Sequence, residues 1–331
     1  MRQERGLRLF ALEGSRDYAR GVARQLNVEL AALEERDFED GEHKARPRES
    51  LRGQEAFVLH SLYGGEGQSP NDKLCRLLFF CSAVKDAGAA SVTAVVPYLC
   101  YARKDRRTKS RDPVTTRYVA ALFEASGVDR VVTLEVHNLA AFENAFRCNT
   151  VHLDLRQPFV NHLRPLLGGS PVTVISPDAG GLKRAEGFRQ TLAAALDCEV
   201  GGAFMEKYRS SGVVSGEMLV GDLQGRIAIV LDDLIASGGT MLRTARKARE
   251  QGAIQVVAVA THGLFAGKAN EVFADPLIDR LVIGDTVPPF RLTDSSATAK
   301  LEVVDSRWLV AEAIRRLQEG GSLVDLLGIE D

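Results

Sequence analysis

The sequence has few cysteines, no long apolar run and almost no net charge, and each of these shortages excludes a class of protein. Its five cysteines are odd in number and form no CxxC pair, which argues against a disulfide framework or a zinc site and favours a cytoplasmic protein. Nowhere do about 18 apolar residues follow one another without a charge, so neither a membrane span nor a signal peptide is predicted. The formal net charge of -2 gives no attraction for nucleic acid or anionic membranes, which leaves a small molecule as the expected partner.

A chain of 331 residues exceeds the usual size of one hydrophobic core, so two domains of about 150 residues are expected. Short apolar runs alternate with segments of helical period. The runs lie at 7–12, 56–60, 92–97, 130–136, 171–176, 226–231, 255–260, 280–283 and 301–304. Because runs such as VTAVVP and RIAIVL are apolar at every position, as strands covered on both faces must be, we predict an α/β fold of mainly parallel sheets flanked by helices.

The domain boundary is predicted in the polar stretch RCNTVHLDLRQP, which gives domains 1–152 and 153–331. The helix around Trp308 to Leu317 could pack back across this boundary. An internal echo between LEVHNLAAF (134–142) and ATHGLFAG (260–267) indicates a duplicated layout. A stripe of apolar residues between Leu74 and Val84 predicts a helix, with Asn71 or Asp72 as its N-cap.

The strongest local signal is the segment IVLDDLIASGGTMLRTARKAREQG, which begins at Ile229. An apolar strand runs into two acids, then a glycine-containing turn, then a helix. The two glycines let backbone N–H groups approach an anion, and the helix N-terminus adds the positive end of its dipole. Backbone and hydroxyl donors can hold a phosphate without a basic side chain, which leaves the carboxylates for sugar hydroxyls or a cation. The predicted site for a phosphorylated sugar consists of Asp232, Asp233, Ser237, Gly238, Gly239 and Thr240.

This segment resembles the phosphoribosyl-binding loop shared by type I phosphoribosyltransferases and phosphoribosyl pyrophosphate synthetases. Further segments resemble the synthetases specifically and spread the resemblance over most of the chain. They are FEDGE (38–42), VVPYLCYARKDRR (95–107), VTLEVHN (132–138), VISPDAGGLKRA (174–185) and FMEKYRSSG (204–212). The resemblance implies two similar phosphoribosyltransferase-like domains, with ATP bound by the N-terminal domain and ribose 5-phosphate by the C-terminal domain.

The family resemblance also implies residue roles. ATP would be bound by Phe38, Asp40 and Glu42, reaching from a neighbouring subunit, and by Arg103, Lys104, Asp105 and Arg106. Mg²⁺ would be bound by His137 and Asp178, and charge on the transferring group would be stabilised by Lys207 and Arg209. Considered locally, Asp178 also fits a helix cap. The implied reaction moves the β,γ-diphosphoryl group of Mg-ATP to C1 of ribose 5-phosphate, in a homo-oligomer of dimers that often assemble into hexamers.

Four positions depart from the pattern of the synthetases. Lys104 stands where glutamine is expected, Glu135 replaces an aspartate, Tyr208 replaces an arginine and Ala236 replaces an aspartate. These departures leave open a catalytically silent regulatory subunit that associates with an active synthetase. A phosphoribosyltransferase, which would use the same loop without the ATP segments, is a further alternative, and the choice between ribose and deoxyribose stays open.

Overall fold

The structure is a computed structural model and describes residues 6–65, 67–210 and 213–327. The strands are β1 (Leu7–Ala11), β2 (Leu33–Asp37), β3 (His43–Pro47), β4 (Glu55–Leu59), β5 (Ser91–Val96), β6 (Arg130–Leu134), β7 (Asn149–Leu153), β8 (Val172–Ser176), β9 (Gly201–Ser210), β10 (Val213–Val220), β11 (Ile227–Ile235), β12 (Gln255–Gly263), β13 (Arg280–Gly284) and β14 (Leu301–Val304). The helices are α1 (Arg16–Leu26), α2 (Pro70–Asp86), α3 (Thr115–Ala125), α4 (Leu139–Ala145), α5 (Arg156–Leu163), α6 (Leu182–Leu196), α7 (Gly239–Glu250), α8 (Ala269–Ala274), α9 (Ser295–Thr298), α10 (Arg307–Glu319) and α11 (Val324–Leu327).

The chain forms two compact units, and the first unit contains the residues up to Asp154 together with those from Ser306 onward. Its main sheet has five parallel strands in the order β1-β4-β5-β6-β7. Strands β2 and β3 pair with each other in a separate antiparallel hairpin. Every position of β5 after its first residue is buried, which agrees with a strand covered on both faces.

The C-terminal helix belongs to the first unit. The sequence prediction placed residues 153–331 in the second domain but left open that this helix packs back across the boundary. Helix α10 packs on α1, and Arg315 Nη2 donates to the carbonyl of Gln25 at 2.9 Å. The buried face of α10 includes Leu309, Val310 and Ile314. An amphipathic helix buries its apolar face on whichever core accepts it, and sequence order alone does not select that core.

The second unit spans Leu155 to Asp305 and contains a seven-stranded sheet. The strand order is β10-β9-β8-β11-β12-β13-β14, and all neighbours are parallel except the antiparallel pair β9–β10. Both units therefore have mainly parallel sheets flanked by helices, which confirms the predicted fold class. No helix within the described ranges combines the length and apolar character that a membrane span requires.

The two units repeat one topology. In each, a strand and helix are followed by a hairpin and then by four more parallel strands joined through helices, so β1, β4, β5, β6 and β7 correspond to β8, β11, β12, β13 and β14. The hairpin β2–β3 stands apart from its sheet, whereas β9 extends the second sheet beside β8. The segment 134–142 begins at the end of β6, which corresponds to β13, whereas the segment 260–267 begins within β12. The two similar sequence segments are therefore not equivalent in the fold.

Helix α2 confirms its predicted apolar stripe but not its predicted start. Its stripe of Leu74, Leu77 and the residues that follow at helical spacing is buried. The helix begins earlier than expected, because Ser69 is the N-cap and Pro70 occupies the first turn. Asp72 lies inside the helix and completes the capping box.

Candidate active site

Paired carboxylates lie at the carboxyl end of β11 in the second unit. The side chain of Asp233 is buried and that of Asp232 is about one-fifth exposed. Asp232 Oδ1 accepts a hydrogen bond from the backbone N–H of Asp233 at 2.9 Å. The guanidinium of Arg184 lies 3.7 Å from Asp232 Oδ1 and 3.5 Å from Asp233 Oδ1. The guanidinium of Arg184 thus faces two adjacent carboxyl groups.

This arrangement shifts the protonation of the pair. Burial, followed by the neighbouring charge of Asp233, raises the pKa of Asp232 far above the ordinary carboxyl range, and Arg184 offsets only part of the shift. Two carboxyl groups in contact cannot both ionise at low cost in a partly dry site. Burial and the neighbouring carboxyl group therefore favour the protonated form of Asp232, and a bound cation would lower its pKa again.

The phosphate loop follows the acids and opens α7. Gly238 is the N-cap residue of α7 and has a φ of +77°, a conformation that favours glycine. A Cβ atom at this position would lie 2.6 Å from a ring carbon of Phe273 and 2.8 Å from Cγ1 of Val272. Glycine is therefore required at position 238 for both backbone conformation and packing. Gly239 is less constrained, because a Cβ there would meet its nearest neighbour, a nitrogen of Arg243, at 3.6 Å.

Among the described residues, no side chain caps the N-terminus of α7. The helix is 12 residues long, so its first-turn amides and its dipole are available to an anion. Ser237 is exposed, and Thr240 Oγ1 accepts a 3.4 Å hydrogen bond from Arg243 Nη2. The carbonyl of Ala236 accepts from the N–H of Ala266 at 2.7 Å, which fixes the start of the loop. The predicted sugar-phosphate residues therefore form one continuous feature.

Asp178 follows β8, the strand beside β11, and therefore lies at the same edge of the sheet. Its Oδ1 accepts hydrogen bonds from the N–H groups of Gly180 at 2.8 Å and Gly181 at 3.0 Å. One carboxylate oxygen of Asp178 thus acts as a helix cap, which is the alternative role that the sequence left open. A metal role for Asp178 stays a prediction.

The structure describes the backbone of Lys207 and Arg209 but not their side chains, so their predicted contacts lie outside what it describes. Both residues fall within β9, which pairs with β10, and the register places Lys207 opposite Glu217 and Arg209 opposite Val214. The FMEKYRSSG segment is therefore strand up to Ser210. Residues 211 and 212, the end of the FMEKYRSSG motif, also lie outside the described residues.

In the first unit, the basic segment after β5 meets the segment after β6. Asn138 Nδ2 donates to Asp105 Oδ2 at 2.7 Å, which joins the two carboxyl-edge loops. Arg103 and Arg106 are both exposed and can reach an anionic ligand. His137 is exposed at the same edge. The sequence predictions at 103–106 and 137 thus converge on one edge of the five-stranded sheet.

Lys104 makes a contact that the sequence did not predict. Its Nζ donates to Asp112 Oδ2 at 2.7 Å, and the same oxygen accepts from the backbone N–H groups of Thr108 and Lys109 at 3.1 and 3.0 Å. These bonds hold the pKa of Asp112 well below its usual range, the bond from Lys104 contributing most. Lys104 therefore ties down the basic loop, and its proposed contact with ATP requires this ion pair to exchange.

The hairpin tip forms a tight turn. The N–H of Phe38 donates to the carbonyl of Glu42 at 2.8 Å, and Asp40 Oδ1 accepts from the N–H of Glu42 at 3.1 Å. Gly41 supplies the left-handed conformation with a φ of +90°. The three residues that the sequence assigned to ATP are exposed on this turn.

Within the described ranges, no group of three or more histidine, cysteine, aspartate or glutamate side chains has the arrangement of a metal site. His137 and Asp178 belong to different units, and each is at a carboxyl edge of its own sheet. Mg²⁺ keeps several waters and usually enters with phosphate oxygens rather than in a cage made by the protein. The donor set of this chain fits a metal that is carried by a nucleotide.

Two residues of the site were missed from the sequence. Arg184 lies within the VISPDAGGLKRA motif, and its position one turn after the two glycines was the available signal. Asp112 gave no local signal, because its partner Lys104 is eight residues away and the turn between them is irregular.

Both units thus share one α/β topology, and the second unit has a glycine-opened helix beside paired carboxylates. Residues 7–127 match the family described as the N-terminal domain of ribose phosphate pyrophosphokinase, and residues 214–328 match the phosphoribosyl synthetase-associated domain. The chain is 36% identical to the ribose-phosphate pyrophosphokinase of Caldanaerobacter subterraneus subsp. tengcongensis over 98% of its own length and 99% of the relative. It is 32% identical to the Aquifex aeolicus enzyme over 97% of this chain and 99% of that one.

Among solved structures, phosphoribosylpyrophosphate synthetase from Mycobacterium smegmatis superposes with a TM-score of 0.85 at 31% sequence identity. The match covers 96% of this chain and 100% of the other. The chain therefore belongs to the ribose-phosphate pyrophosphokinase family of enzymes.

Proposed function

We propose that this protein is a ribose-phosphate diphosphokinase. The C1 hydroxyl of ribose 5-phosphate forms a bond to the β-phosphorus of ATP, the bond from that phosphorus to the oxygen bridging the α-phosphate breaks, and AMP leaves. The products are phosphoribosyl pyrophosphate and AMP, and the hydroxyl proton passes to solvent. Family membership over nearly the full length carries this proposal and disfavours the silent-subunit alternative.

In the second unit, the amides that open α7 bind the 5-phosphate together with Ser237 and Thr240. Support comes from the glycine cap and from the absence, among described residues, of a capping side chain. Asp232 and Asp233 accept hydrogen bonds from the ribose hydroxyls, at the place where the sheet edge and the loop meet. This division leaves phosphate recognition to neutral donors and sugar recognition to acceptors.

In the first unit, Arg103 and Arg106 bind the phosphates of ATP, supported by their exposure at the carboxyl edge. The turn from Phe38 to Glu42 contacts adenine, in a homo-oligomer built from dimers. His137 is a proposed Mg²⁺ contact in this unit, and Asp178 is a proposed Mg²⁺ contact in the second unit. When bound, Mg²⁺ supplies charge neutralisation and orients the phosphate oxygens.

The free thiols of all five cysteines, which lie in the described part of the chain, accord with a cytoplasmic location. Localisation of a fluorescent fusion and light scattering of the purified protein test the compartment and the oligomer. A cytoplasmic signal and a mass that is a multiple of the dimer are expected.

The decisive experiment measures AMP formation by the purified protein with ATP, Mg²⁺ and ribose 5-phosphate, and with deoxyribose 5-phosphate in parallel. AMP should appear only when both substrates are present, and EDTA should abolish it. A phosphoribosyltransferase would release no AMP from these substrates. Absence of turnover with every sugar phosphate, together with co-purification of an active synthetase, would instead favour the regulatory subunit.

Lys207→Ala tests the proposed stabilisation of charge during transfer. Loss of one such donor should lower kcat by about 10² to 10³, or about 3–4 kcal/mol, because the transition state loses a cation that the ground state needs less. Steady-state kinetics under saturating substrates gives the value. A decrease smaller than about threefold would assign Lys207 to the surface of the strand.

A further inference from the structure

The hairpin β2–β3 needs an external anchor. It forms a sheet of two strands, and within the described ranges no strand of the main sheet pairs with it. Its turn, from Phe38 to Glu42, carries the residues proposed to contact ATP. The position of this turn therefore depends on side chains that join the hairpin to the rest of the first unit.

Glu35 is the best-buried carboxylate of the hairpin, with its side chain only 6% exposed. Its two oxygens lie 3.3 and 3.0 Å from the backbone nitrogen of Glu13, whose N–H donates to them, and Oε2 accepts from Arg16 Nη2 at 2.7 Å. Its Oε1 lies 3.5 Å from His43 Nε2 on the paired strand. One carboxylate thus connects β2 to the segment between β1 and α1, and also to β3.

A second contact acts on the same face of β2. Asp37 lies two residues after Glu35, and its Oδ1 is 2.8 Å from Nη2 of Arg76 on α2. The opposite face makes contacts within the hairpin. Glu34 pairs with Arg46 at 2.7 Å, and the guanidinium of Arg36 lies 4.9 Å from the centre of the Phe38 ring. The two adjacent glutamates therefore have different roles. Glu34 pairs within the hairpin, whereas Glu35 connects the hairpin to the rest of the first unit.

We infer that Glu35 is a positioning residue that fixes the hairpin β2–β3 and thereby sets the affinity for ATP. This inference rests on the proposed function, because the ATP role of the turn belongs to that proposal. Displacing a binding group by about 1 Å can cost two orders of magnitude in productive binding. Losing the tether should affect ATP far more than ribose 5-phosphate, whose proposed site is in the second unit.

The experiment compares Glu35→Ala, Glu35→Gln and the control Glu34→Ala. For Glu35→Ala we expect the KM for ATP and the Kd for ATP, measured by calorimetry, to rise about 10- to 50-fold. The kcat should stay within about threefold and the KM for ribose 5-phosphate within about twofold. Glu35→Gln keeps an acceptor for the Glu13 N–H but loses the charge opposite Arg16, so an intermediate value is expected. Glu34→Ala should stay within about twofold of the wild type.

Limited trypsin digestion gives a readout that does not depend on activity. Cleavage after Lys44 should be at least about fivefold faster in Glu35→Ala than in Glu34→Ala, because proteolysis follows the population of the opened segment. Equal cleavage rates, or a lower melting temperature with an unchanged KM and Kd for ATP, would overturn the inference. If the wild-type protein binds ATP but forms no AMP, the proposed function fails while the Kd comparison and the digestion still decide the role of Glu35.

Discussion

The two units place a helix at the same point of the same topology, α2 after β4 and α7 after β11, yet the helices begin differently. Helix α2 has a capping box, in which Ser69 Oγ accepts from the N–H of Asp72 at 3.2 Å and Asp72 Oδ2 accepts from the N–H of Ser69 at 2.7 Å. Helix α7 begins at Gly238 with no capping side chain among the described residues. A carboxylate already occupies the anion position of α2, whereas α7 offers that position to a ligand.

This difference shows how a duplicated fold can separate two functions. The strand order and crossovers are common to both units, but the connection is ten residues long between β4 and α2 and only three residues long between β11 and α7. The short connection brings the paired acids of β11 directly to the helix N-terminus. The long connection in the first unit supplies its own cap, and the ligand contacts proposed for this unit lie in the loops after β5 and β6.

Gly238→Ala changes the glycine that opens α7 and should have the largest effect on activity of the variants that test this comparison. The added Cβ would require a strained backbone and would contact Phe273 at 2.6 Å, so the loop amides should move. We expect kcat/KM for ribose 5-phosphate to fall by about 10²-fold or more, with the KM for ATP within about threefold. The matched control is Gly67→Ala in the connection before α2, where φ is +76° but no atom lies within 4 Å of the new Cβ. An equal loss in both variants would show that backbone strain alone, and not the loop geometry, is responsible.

Ala236→Asp introduces, in the loop before α7, the aspartate that the family resemblance predicts at this position. A carboxylate that hydrogen-bonds ribose should raise kcat/KM for ribose 5-phosphate about tenfold, or about 1.4 kcal/mol. The measurement compares ribose and deoxyribose 5-phosphates. Ala266→Asp, which adds the same charge to the exposed neighbouring loop, serves as the control. Unchanged values for both sugars would exclude position 236 from sugar binding.

Asp232→Asn tests how much the two adjacent carboxyl groups destabilise the folded protein. Folding raises the pKa of Asp232 from 3.8 to about 8, so the folded protein binds more protons than the unfolded chain between these values. The free energy of unfolding should therefore fall as pH rises from about 4 to 8. Without ligand, the variant should exceed the wild type by at least about 2 kcal/mol at pH 8.5, or at least about 4 °C in Tm, and by much less at pH 5. Asp222→Asn, at an exposed carboxylate, should show no such trend; an equal gain at both pH values would contradict the assignment.

Ser69→Ala removes the N-cap side chain of α2 and has the smallest expected effect. Removing the cap should destabilise the protein by about 1 kcal/mol, or about 2–4 °C in Tm, because the N–H of Asp72 loses its acceptor. Thermal unfolding gives the stability, and kinetics should show an unchanged KM for ribose 5-phosphate. Ser69→Thr, which keeps the hydroxyl, is the control. A changed KM would contradict a purely structural role for this cap.

Apolar periodicity determined the central strands and the fold class. Every predicted run coincides with a strand of a mainly parallel sheet. The central strands are the clearest of these, because a strand covered on both faces is apolar at nearly every position. The polar strands β2, β3, β7, β9 and β10 were missed for the corresponding reason. These strands lie at sheet edges or in hairpins, where pairing with a neighbouring strand, rather than amino-acid composition, selects the strand conformation.

The sequence also determined the glycine turn that opens α7, because an acidic strand end, a glycine turn and a helix lie within ten consecutive residues. Tertiary structure alone decided the contacts that join distant segments. Arg184 reaches the acidic pair from α6, Glu35 joins the hairpin to the segment around Glu13, and α10 returns to α1. Local patterns record the hydrogen bonds and strain of a single turn, whereas the partner of a buried charge or an apolar helix face depends on which elements the folded chain brings together.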